Sequence, residues 1–245
     1  MKYILLFFRL LAFVVLTLGC TLTVLIGRAL GGSHKFCLSV QQFWSVAMLW
    51  SWGVRTVLHG KSPAGGLLMA NHQSYLDIWM IPKYAISVFV AKAEVRKMPL
   101  VGWGASAVNT VYVDRSSAES RKQTRDAIAD RLRKGRSVVI FPEGTTHFGP
   151  ELLPLKPGMF YIAAEEGFPI VPVAIYYEDD NLSWVGDESI GANFFRNFGR
   201  FSTTAHITFG DSIQVNNPEE AIFQVKQWIE DEMKRLRNKF GTLNE

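Results

Sequence analysis

Two side chains able to share a proton stand five residues apart in Asn71-His72-Gln73-Ser74-Tyr75-Leu76-Asp77. The segment follows an apolar run at 67–70 that reads as a buried strand, and ligands in α/β folds gather where strands end. Across a strand-to-helix turn the Asp77 carboxylate can reach one ring nitrogen of His72 and leave the other as a base. Alone, His-x-x-x-x-Asp is a weak signal. A second strand end carries Val113-Asp114-Arg115, where Arg115 could meet a phosphate or form a surface pair with Asp114 or Glu119. A third carries Phe141-Pro142-Glu143-Gly144-Thr145-Thr146-His147-Phe148-Gly149. Glu143 is placed there to accept hydrogen bonds from a hydroxylated substrate, or else to sit exposed in a tight turn. Gly144 permits a backbone amide to approach a ligand closely. A fourth block, Ile170-Val171-Pro172-Val173-Ala174-Ile175, reads as a core strand whose proline implies an edge or a bulge.

The elements that must position these residues follow from periodicity. Short apolar runs at 67–70, 86–91, 110–113, 137–141, 170–175 and 204–209 are expected strands. Between them lie expected helices. One opens on the capping box Ser116-x-x-Glu119 and runs from 116 to 134, where Gly135 stops it. A short one covers 157–166. A long one starts at Asn217-Pro218-Glu219-Glu220, with an N-cap, an N1 proline and an N3 glutamate, and ends near Gly241. Its apolar positions Ile222, Val225, Ile229 and Met233 keep helical spacing. Strands alternating with helices imply an α/β domain with a mostly parallel central sheet and flanking helices.

Charge divides the chain of 245 residues unevenly. The net charge is +4, yet residues 1–76 hold six basic and no acidic residues, and the remainder carries −2. The basic third is also the most apolar part, a combination that points to a membrane rather than to nucleic acid. The basic residues Arg121, Lys122, Arg125, Arg131 and Arg133 alternate with Asp126 and Asp130 and read as a solvated helix face. Hydrophobic residues make up 48% of the chain, which excludes global disorder. Cys20 and Cys37 match no metal-ligand spacing and read as small apolar residues.

Within the N-terminal third, residues 10–27 are uncharged and flanked by Arg9 and Arg28. As a helix this stretch spans roughly 27 Å, about the thickness of a bilayer core. Residues 36–54 are also uncharged but more polar, and include Trp44, Trp50 and Trp52. A lipoprotein signal at Leu18-Gly19-Cys20 fits poorly, because the apolar run continues past Cys20. Two arrangements remain: two membrane spans, or a hairpin inserted in one leaflet. Both return the chain to its starting side, where Lys2, Arg9, Arg55 and Lys61 favour the cytoplasm. The expected division is a hydrophobic, membrane-associated helical hairpin at 1–58 and an α/β domain at 59–245.

The four blocks, in their order, resemble those of the 1-acylglycerol-3-phosphate acyltransferase family, and Leu152-Leu153-Pro154-Leu155-Lys156-Pro157-Gly158 resembles the stretch after its third block. Four ordered blocks are far more specific than any one of them. The resemblance implies transfer of a fatty acyl group from a thioester to the free hydroxyl of a lysophospholipid, most directly 1-acylglycerol-3-phosphate. His72 would be the general base and Asp77 its orienting partner. Arg115, Glu143, Gly144, Thr145 and Lys92 would belong to substrate binding. The donor would be acyl-CoA or acyl carrier protein, with no metal and no bound cofactor. The implied setting is the cytoplasmic face of the inner membrane, and the implied partners are the lysolipid, the thioester donor and the bilayer.

One departure bears on the acceptor. The family's third block commonly carries an arginine, associated with the acceptor phosphate, where this chain has Thr146. Threonine supplies neither charge nor a bidentate fork. Arg115, Lys92 or Arg96 could compensate. Alternatives are transfer to lyso-ornithine lipid or to glycerol-3-phosphate, or a lipid-binding protein without turnover. Intact His72, Asp77 and Glu143 speak against the last. His147 reads as a solvated turn residue.

Overall fold

The computed structural model describes residues 2–114, 116–186, 189–197, 199 and 202–241. The chain begins with helices α1 (Lys2–Ala29) and α2 (His34–Ser51). Gly31 lies at φ +81°, and the Gly32 and Gly31 amides close back on the Gly27 and Arg28 carbonyls. This left-handed glycine stop ends α1, and the Ser33 side chain then caps α2 by accepting from the Phe36 amide. The helices run antiparallel: Arg9 Nε donates to the Ser51 carbonyl and Trp44 Nε1 to Thr17 Oγ1, while the Phe36 ring packs against Gly27. By length and composition α1 alone, among the described residues, could cross a membrane.

Seven strands follow: β1 (Val54–His59), β2 (Leu67–Ala70), β3 (Ser87–Lys92), β4 (Val111–Val113), β5 (Ser137–Ile140), β6 (Ile170–Tyr177) and β7 (Thr203–Phe209). They form one sheet in the order β1-β7-β6-β2-β5-β3-β4. Among the described strands only the β6–β7 pair is antiparallel, so the fold is α/β with a mostly parallel sheet. The six expected strands are present. β1 has no counterpart among them, because its Val-Arg-Thr-Val-Leu-His pattern merges with the preceding apolar stretch. The expected division at residue 58 falls inside β1, which pairs with β7 as an edge strand.

Pro172 lies in an interior strand, flanked by β7 and β2, so the expected edge position is not where it sits. The bulge lies next to it. The Gly210 amide donates to the Pro172 carbonyl and Ile170 bridges Ile213, which sets Asp211 and Ser212 opposite Val171. The missing amide thus falls beside the point where the ladder is interrupted.

The remaining helices are α3 (Asp77–Tyr84), α4 (Val101–Ala107), α5 (Ala118–Arg133), α6 (Gly158–Glu166), α7 (Ile190–Asn197) and α8 (Pro218–Phe240). In α5 the cap is Ser117, which accepts from the Ser120 amide; the expected box on Ser116 is shifted by one residue, because Ser116 instead donates to Asp114. Strand alternation sorts the core onto two faces. Leu68, Ala70, Val171, Val173 and Ile175 pack with α3 and with Leu6, Met48, Leu49 and Trp52 of the hairpin. Leu67, Met69, Ile170 and Ala174 pack with α5, α6 and α8. The hairpin is therefore one of the layers covering the sheet.

Candidate active site

β2 and β5 are adjacent parallel strands, so the segments that leave their carboxyl ends lie side by side. The first is the His72–Leu76 turn into α3; the second is the Phe141–Gly149 loop. Asn71 anchors the first by a side-chain amide that bonds both the carbonyl and the amide of Ile175 on β6, at 2.9 and 2.8 Å.

Asp77 is the first residue of α3, where the helix dipole favours negative charge, and is fully buried. Its Oδ2 accepts from His72 Nδ1 at 2.7 Å, from the Gln73 amide at 2.9 Å and from the Ser74 amide at 3.0 Å. Its Oδ1 accepts from the Tyr177 hydroxyl. A buried carboxylate needs such partners to remain charged. With Nδ1 bonded to the carboxylate, the neutral imidazole carries its proton there and presents Nε2 as the acceptor. The His72 side chain keeps 20% exposure, enough for a substrate to reach it.

The His72 ring stacks on Phe141, with centroids 3.9 Å apart and planes at 14°. Its amide donates to Glu143 Oε1 at 3.2 Å, and its carbonyl accepts from the His147 amide at 2.7 Å. Main chain, ring plane and Nδ1 are thus each held by a different group.

Glu143 is 5% exposed. Its Oε2 accepts from the Leu153 amide at 3.0 Å, so the carboxylate ties the turn after β2 to the segment after β5. Burial pushes its carboxyl upward, opposed by the Leu153 and His72 amides and by the nearby histidines. The exposed-turn reading of Glu143 does not hold. Gly144 stands at φ +78°, and its amide closes a turn onto the Phe141 carbonyl. Thr145 is exposed beside it.

Other expected residues lie farther off. Lys92 ends β3, two strands from β2, or about 10 Å at ordinary strand spacing, and is exposed. Arg96 lies over the Tyr112 ring. Arg115 lies outside the described residues. His147 joins the site through its main chain rather than standing free as a turn residue. Phe141 opens the third block, but nothing in the sequence marks it as a platform for the imidazole; Tyr177 lies two residues beyond the fourth block, and nothing local marks it as a donor to Asp77.

A buried carboxylate bonded to a part-exposed imidazole, at the carboxyl ends of parallel strands, is an arrangement chemically able to act as a general base. The Acyltransferase family profile matches residues 55–176. The lyso-ornithine lipid O-acyltransferase of Pseudomonas aeruginosa is 33% identical over 190 residues, covering 74% of this chain and 73% of that protein. The 1-acyl-sn-glycerol-3-phosphate acyltransferase of Neisseria gonorrhoeae is 35% identical over 120 residues, 49% of this chain and 47% of that protein. The crystal structure of the 1-acyl-sn-glycerophosphate acyltransferase PlsC from Thermotoga maritima superimposes with a TM-score of 0.74 at 22% identity, covering 97% of this chain and 98% of that one. The chain belongs to the Acyltransferase family.

Proposed function

We propose that this protein transfers a fatty acyl group from acyl-CoA or acyl carrier protein to the free hydroxyl of a lysophospholipid, with 1-acylglycerol-3-phosphate as acceptor. The observation that carries this reading is the His72–Asp77 pair: an alcohol is a poor nucleophile near neutral pH, and the pair supplies a base of fixed tautomer. The hydroxyl oxygen attacks the thioester carbonyl carbon as His72 Nε2 takes its proton. Asp77 stabilises the imidazolium that forms. The tetrahedral intermediate then collapses with cleavage of the carbon–sulfur bond, and the departing sulfur takes the proton from His72. Ester and free thiol result, and the nucleophile throughout is the substrate itself. Gly144, Thr145, Lys92 and Arg115 are proposed to contact the substrates. Glu143 holds the frame around His72, since its oxygens meet main-chain amides.

A second acceptor, lyso-ornithine lipid, is favoured by Thr146 and by the long matches to enzymes of that name from Pseudomonas aeruginosa and Brucella abortus. The test is an acceptor panel on membranes containing the protein. Turnover with 1-acylglycerol-3-phosphate supports the first reading, and turnover with lyso-ornithine lipid alone supports the second. Thr146→Arg is expected to raise use of the phosphate acceptor relative to the other.

We further propose that the hairpin holds the enzyme on the cytoplasmic face of the inner membrane. Ile4, Phe7, Leu11, Leu18, Leu22 and Leu25 form an exposed apolar stripe along α1, of a kind that soluble surfaces do not sustain. The one-leaflet arrangement is favoured because α4 packs alongside α1: Arg28 donates to the Ala107 carbonyl and to Asn109. A full span would draw that part of the α/β domain into the bilayer. Removing the hairpin would also remove Leu6, Met48, Leu49 and Trp52 from the core. The suitable variant is therefore Phe7→Ser with Leu11→Ser and Leu18→Ser. It should lose vesicle binding in flotation while keeping turnover of a short-chain soluble acceptor; undiminished flotation contradicts the anchor.

A further inference from the structure

Tyr177 belongs to none of the four sequence blocks. It ends β6, one hundred residues from Asp77, and its side chain is buried at 2% exposure. We propose that Tyr177 is a positioning residue of the base: its hydroxyl fixes the Asp77 carboxylate and sets how strongly that carboxylate supports positive charge on His72. This rests on the general-base reading above.

Three donors converge on Asp77 Oδ2, and one of them is His72. A carboxylate held mainly through one oxygen can pivot about it. The Tyr177 hydroxyl meets the other oxygen and removes that freedom. The donor is itself well held. Tyr177 pairs with Ala205 of β7, and its ring packs into the apolar core on the hairpin side of the sheet. Burial, then the nearby Asp77 charge and the hydrogen bond to it, raise the Tyr177 hydroxyl well above its ordinary value, while the Ser74 side chain opposes this. The hydroxyl therefore remains a donor throughout the working pH range.

The electrostatic consequence has a definite sign. A donor on Oδ1 draws charge away from Oδ2, the oxygen facing His72. Removing it concentrates charge on Oδ2 and favours the imidazolium, so a higher pH is needed to free the base. The ionisable groups around this network are His72, Asp77 and Tyr75 from the turn and α3, and Glu143 and His147 from the loop after β5. The Tyr177 substitution changes none of them.

The experiment is a kcat and KM measurement across pH on Tyr177→Phe. A hydrogen bond to a charged group contributes enough to predict a loss of about 10-fold in kcat. KM for both substrates should stay within about 2-fold, and the acidic limb of the pH profile should move to higher pH. In an Asp77→Asn background the same change should cost much less, since the carboxylate charge is gone and the Asn oxygen accepts only a neutral hydrogen bond. If Tyr177→Phe folds poorly, 3-fluorotyrosine incorporated at position 177 keeps the ring and strengthens the donor; the acidic limb should then move to lower pH. An unmoved limb in these proteins, or an undiminished loss in the Asp77→Asn background, overturns the proposal. If His72→Ala itself retained wild-type turnover, the general-base reading would fall first, so the two failures are distinguishable.

Discussion

Asp77 and Glu143 are buried acids set at the carboxyl ends of neighbouring parallel strands, and both collect main-chain amides. They differ in what else they hold. Asp77 binds an imidazole and a phenol besides the Gln73 and Ser74 amides. Glu143 holds the amides of His72 and Leu153. One acid acts on a ring that can exchange protons; the other acts on the position of the backbone carrying that ring. Sequence spacing alone does not separate these roles, because an acid bonded to amides and an acid aimed at substrate look identical in one dimension.

Substitutions can break this contrast or sharpen it. The largest effect is expected for His72→Ala, which should lower kcat by about 10³-fold or more, the range for losing a general base, with folding and vesicle binding intact. Asp77→Asn should cost less, about 100-fold, because the base remains but its tautomer and charge support are lost. Equal losses in the two variants would show that the pair acts as a single unit. Glu143→Gln comes next. One amide must then face the Gln amino group instead of an oxygen, a mismatch of about 1–3 kcal/mol in stability. Turnover should fall about 10-fold through displaced His72 main chain. A loss confined to acceptor KM would instead make Glu143 a direct substrate ligand and dissolve the contrast.

The smallest effect is on stability against pH. Burial raises the Glu143 carboxyl from its ordinary value, so the folded state keeps its proton where the unfolded chain has lost it. That contribution is complete below the unfolded value and is lost as pH rises through the folded one. Urea midpoints for wild type and Glu143→Gln, compared from the ordinary glutamate value upward, should show the wild type losing stability relative to the variant. A constant difference across that window would remove the assigned shift.

Much of the site is legible from local signals. His72 and Asp77 lie in one turn, and Phe141–Gly149 in one loop, so the strand-then-polar pattern is enough to find them. The six strands of the α/β alternation follow from their apolar runs, and Asn217 caps α8 as its sequence implies. What escapes is nonlocal. Tyr177 meets Asp77 only because β6 lies beside β2, and its own neighbours read as plain core strand. β1 hides because the hairpin's apolar stretch runs into it without a charged break before Arg55. Sheet order, which local sequence does not carry, also sets Lys92 two strands away from His72.

The most direct measurement follows thiol release from acyl-CoA and from acyl carrier protein thioester, with and without lysolipid, in membranes carrying wild type or His72→Ala. Release that requires lysolipid in the wild type and falls to background in His72→Ala is the predicted result. Release independent of lysolipid, or His72→Ala proceeding at the wild-type rate, would contradict base-assisted acyl transfer at this site.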